Sequence, residues 1–423
     1  MTEFPIAAIR DQFPALALTD AGKARIYLDN PAGTQVPQRV IDRITGTLLR
    51  ANANLGGDFV TSVAAEQVIA DARQAMADML NASPDEIVFG ANMTTLTLHM
   101  SRALAARFRP GDEIVLSRMD HDANVTPWVL MARDRGLTVR WIDFDPEACE
   151  FPEDALDRAL TDRTRLVAVG YASNCLGTIN DVGAMARKAH AAGALMFVDA
   201  VQLAPHRPID VAALECDLLV CSAYKFFGPH VGVLWGRRDL LADVTPYKVR
   251  PAPDSGPDKF ETGTQNHEGI AGVAGAVEYF KAVATELAPA EVIAAHAGKR
   301  EGVRLVHGAL DWLARHEDGL TRRLLDGLET LPGVRVHGVT SRNRLDRRVP
   351  TVSITAAGHD PADLARRLAE ENIFLWAGHN YALEPIARLG LTDRGGVLRI
   401  GIAHYNTAAE VDCLLGHLER MLA

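Results

Sequence analysis

The stretch SAYKFFGPH, residues 222–230, decides the fold. It places a single lysine, Lys225, after the apolar run CDLLVC of residues 216–221, which is typical of a buried strand, and before a Gly-Pro break. Holding a lysine in a dry pocket is costly unless its charge is paired, its pKa is shifted or its amine is chemically consumed. Covalent attachment to an aldehyde cofactor is one way to consume it.

The composition indicates an ordinary globular protein with one large domain and one smaller domain. The chain has 423 residues, is 48% hydrophobic and carries a net charge of −10. Because nucleic-acid binding usually requires a basic face, this balance argues against a nucleic-acid partner. The one basic cluster, residues 342–348, is predicted to be a solvated loop between strands.

The five cysteines predict neither a disulfide framework nor a metal site. They include no C-x-x-C pair and have no histidine partner at metal-ligand spacing, so reduced thiols are expected. The N-terminal segment lacks the basic head and apolar run of a secretory signal, and no window reaches the roughly 18 apolar residues of a membrane span. We therefore expect a cytoplasmic protein with no membrane partner.

Apolar runs alternate with helical patterns through about residue 265. The runs are continuous, as in strands covered on both faces, and segments such as residues 182–193 have helical spacing closed by a glycine. This alternation predicts an α/β fold with a mostly parallel sheet. The predicted strands are residues 86–90, 113–117, 138–144, 165–172, 195–201, 217–222 and 231–236.

The pattern changes in the last third of the chain. Residues 269–331 predict an almost unbroken helix, after which short strands interleave with helices, as in a smaller α+β domain. We predict an N-terminal arm at residues 1–30 that packs on the small domain, a large domain at residues 31–290 and a small C-terminal domain at residues 291–423.

Several polar residues follow the predicted strands and suggest a shared site. Asp199 and Gln202 close one strand, and ligands of open parallel sheets bind at such ends. Pyridoxal phosphate needs a lysine for its aldehyde and an acid for its ring nitrogen, so Lys225 and Asp199 together favour this cofactor. Taken alone, Asp199 reads as a helix N-cap.

Three further loops add weaker signals. Residues 90–96 follow a strand and open a helix, whose N-terminal amides could bind a phosphate or simply form a cap. His121 could lie over a cofactor ring, although a histidine after a strand is more often a plain loop residue. Asn174 could equally be a turn former.

The order of five motifs resembles the class V aminotransferase group of fold-type I pyridoxal-phosphate enzymes, and within it the cysteine desulfurase-like branch. The resemblance runs from residues 26–37 to residues 398–412. The motifs are DHDAN, SNCLG, VDAVQ, SAYKFFGP and FETGTQN, at residues 120–124, 173–177, 198–202, 222–229 and 260–266.

The resemblance implies a role for each matching residue. Lys225 would bind the cofactor covalently and move the α-proton, and His121 would stack on the ring as the second catalytic residue. Arg399 would receive the substrate carboxylate, to which its planar fork is suited. The cofactor would contact Asn92, Met93, Thr94, His121, Asn174, Asp199, Gln202, Ser222, Tyr224, Lys225 and Thr264. The substrate would contact Asn30, Asn174, His379, Tyr381 and Arg399.

The resemblance also implies a homodimer, because Thr264 matches a residue that this family supplies from the neighbouring subunit. The chain departs from the family pattern at two places of the site.

The desulfurases carry a mobile loop R-x-G-H-x-C-A, whose cysteine holds the substrate sulfur as a persulfide. Here Trp376 replaces the arginine and Tyr381 replaces the cysteine. Tyr224 stands where histidine is usual, and its hydroxyl still suits a phosphate oxygen.

Three functions remain open at this point. The leading hypothesis is β-elimination at a carbon–sulfur bond of an amino-acid substrate without a persulfide, with Tyr381 or His379 as general acid. A class V aminotransferase or epimerase acting on a non-sulfur amino acid is the alternative. A non-catalytic binding or regulatory protein is the third, against which the joint presence of Lys225, Asp199, His121 and Arg399 argues.

Overall fold

The computed structural model describes residues 4–423, in which helices account for most of the regular structure. Several short 3₁₀ turns lie between the α-helices. The α-helices are α1 Ile6–Arg10, α2 Gln38–Arg50, α3 Val60–Leu80, α4 Met93–Leu104, α5 Thr126–Arg135, α6 Val182–Ala191, α7 Val211–Leu214, α8 Arg238–Asp243, α9 His267–Glu286, α10 Ala290–Ala294, α11 Glu301–Thr330, α12 Pro361–Ala369, α13 Leu383–Arg388 and α14 Ala408–Leu422.

The strands fall into two main groups, one before α8 and one after α11. They are β1 Thr19–Asp20, β2 Lys23–Ala24, β3 Ile26–Tyr27, β4 Ile87–Gly90, β5 Glu113–Ser117, β6 Thr138–Ile142, β7 Thr164–Gly170, β8 Leu195–Asp199, β9 Leu218–Ser222, β10 Gly232–Gly236, β11 Val334–His337, β12 Thr351–Ala356, β13 Ile373–Phe374, β14 Trp376–Gly378 and β15 Val397–Gly401.

The large sheet has seven strands in the order β4-β10-β9-β8-β7-β5-β6. The pairs from β9 to β6 are parallel, whereas β10 runs antiparallel to both β4 and β9. All strands except β10 therefore end at the same edge of the sheet, where open α/β sheets bind ligands. This confirms the predicted α/β fold with a mostly parallel, mixed sheet.

Two hydrophobic cores cover the two faces of this sheet. Alternate strand residues enter different cores, as Val115 and Leu116 of β5 do, because successive side chains point to opposite faces. Helices α3, α6 and α9 cover one face, and α4 and α5 cover the other. Burial on both faces explains why the strands read as continuous apolar runs.

All seven predicted strands of the large sheet are present, with ends that differ by at most two residues. The almost unbroken helix predicted for residues 269–331 is divided into three helices. Helix α9 ends at Glu286, α10 begins after Pro289, and α11 starts only at Glu301. Proline lacks a backbone N–H, so it suits the start of a helix and not its interior.

The second sheet is small and antiparallel, with the order β11-β12-β15-β14. Helices α12 and α14 pack on it. Helix α11 belongs to both halves of the molecule: its first half packs in the large-sheet core through Val306 and Leu310, and its second half packs against the small sheet through Leu324 and Leu328. The division at residue 290 stays a prediction.

The arm at residues 1–30 contacts both halves. Phe13 is buried against Phe227 and Tyr405, and β3 pairs in parallel with β13. The arm therefore lies across the two halves instead of on the small domain alone.

The basic cluster at residues 342–348 is only partly a solvated loop. Arg344 forms a bidentate pair with Glu150 at 2.8 and 2.9 Å, whereas Arg348 is buried and donates to the carbonyl of Thr351 at 2.5 Å.

Among residues 4–423, no helix is long and apolar enough to cross a membrane. The same residues contain no cluster of three or more His, Cys, Asp or Glu side chains arranged to hold a metal ion.

Candidate active site

A cavity opens at the carboxyl edge of the large sheet, and most of the predicted site residues line it. Strands β4, β5, β7, β8 and β9 each deliver a loop to it, which is why residues distant in sequence meet there. The predicted residues that line the cavity are Asn92, Met93, Thr94, His121, Asn174, Asp199, Gln202, Ser222, Tyr224 and Lys225.

Lys225 lines the cavity and is the last residue of a 3₁₀ turn that follows β9. Its Nζ donates to the carbonyl oxygen of Pro31. Burial, followed by the nearby charge of Arg399, lowers the pKa of Lys225 to about 7. The amine is therefore half neutral near pH 7, as a nucleophile or a proton acceptor requires.

Asp199 is the last residue of β8 and lies opposite Gly170 of β7. Its Oδ1 accepts a hydrogen bond from the Val201 backbone amide at 2.9 Å. Burial raises the pKa of Asp199 to about 6, so the carboxylate form predominates at pH 7. An anion held here can pair with a protonated ring nitrogen.

The sequence reasoning missed Asp120, a second buried acid in the same cavity. It accepts from the Gly170 amide at 3.0 Å and from Asn124 Nδ2 at 2.7 Å. Burial raises the pKa of Asp120 to about 7. Asp120 thereby connects β7 to the turn that carries His121.

The imidazole ring of His121 is neutral and is fixed in one orientation. Its Nδ1 accepts from the Ala123 backbone amide at 3.0 Å, which fixes the ring. Burial, with added repulsion from Lys225 and Arg399, lowers the pKa of His121 to about 4. The ring stacks on Tyr381 with centroids 5.6 Å apart and planes 18° apart.

The N-terminus of α4 faces the cavity and supplies an anion site. Asn92 caps the helix by accepting from the Thr95 amide at 2.8 Å, and the Met93 amide donates to Ser222 Oγ at 3.2 Å. A Cβ on Gly232 would lie 2.3 Å from the Asn92 carbonyl carbon, so a glycine is required where β10 passes this turn. Helix N-termini attract phosphate groups.

Two buried amide oxygens face the cavity without a hydrogen-bond partner, namely Asn174 Oδ1 and Gln202 Oε1. Buried polar atoms normally have partners, so these atoms indicate a missing ligand. Asn174 is otherwise fixed, because its Nδ2 donates to the Asn380 carbonyl at 2.8 Å. Its own carbonyl accepts from Arg399 at 3.2 Å.

A second cavity of about 800 Å³ adjoins the first and shares Lys225, His121 and Asn174 with it. Arg399 reaches this outer cavity from β15 of the small sheet, and its Nε has no partner. Asp29 lines the outer cavity 4.0 Å from the Arg399 guanidinium, and sequence reasoning missed it. Burial raises the pKa of Asp29 to about 6.

Asn30 does not line either cavity, and its predicted substrate contact finds no support. Its Nδ2 donates to the Gly401 carbonyl at 2.8 Å and to Asn406 at 3.1 Å, and its Oδ1 accepts from Tyr405. The side-chain amide of Asn30 thus makes its hydrogen bonds within the protein and holds the arm in place. Asp29, its neighbour in sequence, lines the outer cavity instead.

The loop at residues 376–382 closes one side of the outer cavity. Asn380 and Tyr381 both have positive φ, at 52° and 56°, which is uncommon for residues other than glycine. The Tyr381 carbonyl accepts from the Asp122 amide at 2.8 Å. Trp376, Asn380 and Tyr381 line the cavity, whereas His379 stays exposed beside it and accepts from the Tyr381 amide.

Thr264 is the one predicted cofactor contact that lies away from the cofactor cavity of its own chain. It lines a separate surface cavity with Phe89 and His230. Cys175 and Cys221 line neither cavity: both are fully buried, and burial raises the pKa of the Cys175 thiol to about 12.

The residues present fit pyridoxal phosphate. An amine of lowered pKa, a buried carboxylate, a flat neutral ring, a helix N-terminus and two unpartnered amide oxygens lie around one cavity. The first four would hold the aldehyde, the ring nitrogen, the ring face and the phosphate, and one of the amide oxygens would accept a hydrogen bond from the ring hydroxyl. Fold and site together define a pyridoxal-phosphate enzyme of fold type I.

Comparison with known proteins identifies the family. The family model described as "Aminotransferase class-V" matches residues 26–292 and 288–414, so the chain belongs to this family. It is 33% identical over 432 residues to the aminotransferase-like protein FGM3 of Gibberella zeae, covering 100% of this chain and 99% of the relative. It is 30% identical to a cysteine desulfurase of Dickeya dadantii, covering 99% and 97%.

A solved structure gives the same result for the fold. The apo structure of cysteine desulfurase from Thermococcus onnurineus superposes with a TM-score of 0.86 at 27% identity, covering 100% of this chain and 99% of the other. The resemblance inferred from the five motifs is therefore confirmed at the level of family and fold.

Proposed function

We propose that this enzyme is a cysteine desulfurase-like carbon–sulfur lyase that works by β-elimination without a persulfide cysteine. Relatives along the whole chain are named cysteine desulfurases, which supports sulfur-containing amino acids as substrates. The single observation that carries the persulfide-free step is Tyr381. It occupies the position of the sulfur-accepting cysteine, lines the outer cavity and stacks on His121.

Different side chains of the site would bind the substrate and transfer its protons. Arg399 would bind the substrate carboxylate, using its unpartnered Nε. Lys225 Nζ would take the proton from Cα, because its lowered pKa of about 7 leaves it half neutral at pH 7. Bound pyridoxal phosphate supplies the electron sink that makes this proton acidic.

The reaction balances without an oxidant or a sulfur acceptor. The Cα–H and Cβ–S bonds break, the electron pair of the Cβ–S bond leaves with sulfur, and the Tyr381 hydroxyl donates a proton to the departing thiolate. Addition of one water then gives pyruvate and ammonia. We assign the general acid to Tyr381 because His379 lies outside the cavity lining and its Nδ1 already accepts from the Tyr381 amide at 3.0 Å.

The test is a product analysis of the holoenzyme. Incubation with cysteine and with S-substituted cysteines should release sulfide or thiol together with equal pyruvate and ammonia, and leave no cyanide-reactive sulfur on the protein. Cys175→Ala and Cys221→Ala should retain this activity, because both thiols are buried. Amino-group transfer to a keto acid without thiol release would refute the lyase and favour an aminotransferase.

We further propose that the enzyme acts as a homodimer whose active sites are completed by Thr264 of the second subunit. The position of Thr264 outside its own chain's cofactor cavity supports this. Large apolar side chains on α2 and at the start of α3 are exposed to solvent and suit an interface. They are Leu48, Leu49, Phe59, Val60 and Val63.

Subunit mixing tests this arrangement. Lys225→Ala and Thr264→Ala proteins should each be inactive, but a mixed dimer should regain one intact site, with Lys225 from one chain and Thr264 from the other. Recovery of activity after mixing and refolding is the expected result. No recovery, although mixed dimers form, would place Thr264 outside the shared site.

A further inference from the structure

The outer cavity is much larger than cysteine requires. Its volume of about 800 Å³ lies in the range that encloses drug-sized organic ligands. Cysteine has only a thiol beyond Cβ, so once its carboxylate meets Arg399 and its amine meets the cofactor, it would fill only a small part of this volume. The unused part extends away from Lys225, between α4, α5 and the loop at residues 376–382.

The cationic groups of the outer cavity both belong to its reacting end. Among the described lining residues, the cationic side chains are Lys225 and Arg399, and both are needed for the reacting amino acid. Asp29 lies beside Arg399, and the Asp122 carboxylate accepts from Thr126 Oγ1 at 2.9 Å. The far end thus offers no cation to an acidic group on the substrate.

Two groups of apolar side chains line the rest of the outer cavity, together with the polar side chains of Asp122 and Thr126. One wall consists of Leu98 from α4 with Pro127 and Leu130 from α5, and the other consists of Trp376 and Tyr381. Trp376 lies directly opposite Arg399 in the β14–β15 pair. Its side chain is therefore next to the predicted carboxylate site. Trp376 and Tyr381 are 51% and 66% exposed, which leaves two aromatic faces for a ligand to cover.

We propose that the outer cavity is a binding site for an apolar, aromatic substituent on the sulfur of the substrate, so that the enzyme acts on cysteine S-conjugates in preference to free cysteine. This inference rests on the proposed lyase function for its reaction but on the two apolar walls for its specificity. Trp376, Tyr381, Leu98 and Leu130 are then specificity-determining residues.

The first experiment compares kcat/KM for S-benzyl-L-cysteine and S-methyl-L-cysteine by thiol release. Burial of an aromatic ring predicts a preference of about tenfold or more for the benzyl compound. Trp376→Ala and Leu130→Asp should remove that preference. Val129→Asp is the matched control, because Val129 is on the same helix, is exposed and does not line the cavity; it should keep the preference. Equal or better turnover of S-methyl-L-cysteine would overturn the proposal while leaving the lyase intact.

The second experiment does not depend on elimination. 2-Amino-4-phenylbutanoate has the phenyl group but no leaving group, and its binding is followed by the change in absorbance of the bound cofactor. It should bind about tenfold or more tightly than alanine in the wild type and in Val129→Asp, and lose this advantage in Trp376→Ala. This result would support the site even if no thiol were released. Equal affinities, or conversion of Leu130→Asp from dimer to monomer, would show that the wall serves another purpose and would refute the proposal.

Discussion

Attachment of pyridoxal phosphate to Lys225 should depend on pH with a midpoint near 7. Burial lowers the pKa of Lys225 from 10.5 to about 7, and the positive charge of Arg399 adds to the effect. Only the neutral amine attacks an aldehyde. At pH 7 a lysine of ordinary pKa is neutral in about 1 molecule in 3000, whereas about half of the Lys225 amines are neutral.

The assay is stopped-flow mixing of apoprotein with pyridoxal phosphate between pH 5.5 and 9, with the covalent product followed by its absorbance and confirmed by borohydride reduction and mass spectrometry. The rate should rise through pH 7 and reach a plateau. Arg399→Gln removes a neighbouring cation and should move the midpoint to higher pH, and Lys225→Ala should give no reducible product. A rate that keeps rising through pH 9, or a midpoint unchanged in Arg399→Gln, would refute the reasoning.

Three further predictions concern other groups. Affinity of the apoprotein for pyridoxal phosphate should fall as the pH drops through about 6, because burial raises the pKa of Asp199 to that value and its neutral form supplies no charge to a protonated ring nitrogen; an affinity that stays constant down to pH 5 would contradict this. Arg399→Lys should raise KM by about tenfold or more with a smaller effect on kcat, since an ammonium cannot replace a bidentate guanidinium; an unchanged KM in steady-state kinetics would place the carboxylate elsewhere. Glu317→Ala should lower the free energy of unfolding by about 3 kcal/mol, because Glu317 is buried 3.0 Å from His206. In urea titrations, Asp318→Ala, which removes a half-exposed partner of Arg207, should cost about 1 kcal/mol or less and serves as the control.

The central part of the site could be predicted from the sequence because strand ends determine it. His121, Asn174, Asp199 and Lys225 each follow an apolar run, and parallel strands bring such ends to one edge. The type of residue at each end then indicated the cofactor. Local pattern was sufficient to select Lys225 and Asp199, whereas His121 and Asn174 were selected through the family resemblance.

The outer part of the site depends on how the two halves of the molecule meet, which no local pattern contains. Asp29 and Asn30 are adjacent, and the sequence does not show which of them faces the cavity; sequence reasoning chose Asn30, whereas Asp29 lines it. The positive φ of Tyr381 and the stacking of its ring on His121 are equally invisible in WAGHNYAL. Asp120 was overlooked because its importance lies in a contact with Gly170, fifty positions away.

Helix α11 has a consequence for how ligand binding is felt by the whole protein. One end of this helix is fixed in each hydrophobic core, and the two groups that would grip an amino acid, Lys225 and Arg399, likewise come from the two halves. A bound substrate therefore links, reversibly, the same two halves of the molecule that helix α11 already joins. Its binding free energy opposes separation of the two halves. Separating them should therefore cost more free energy in the substrate-bound protein than in the free protein.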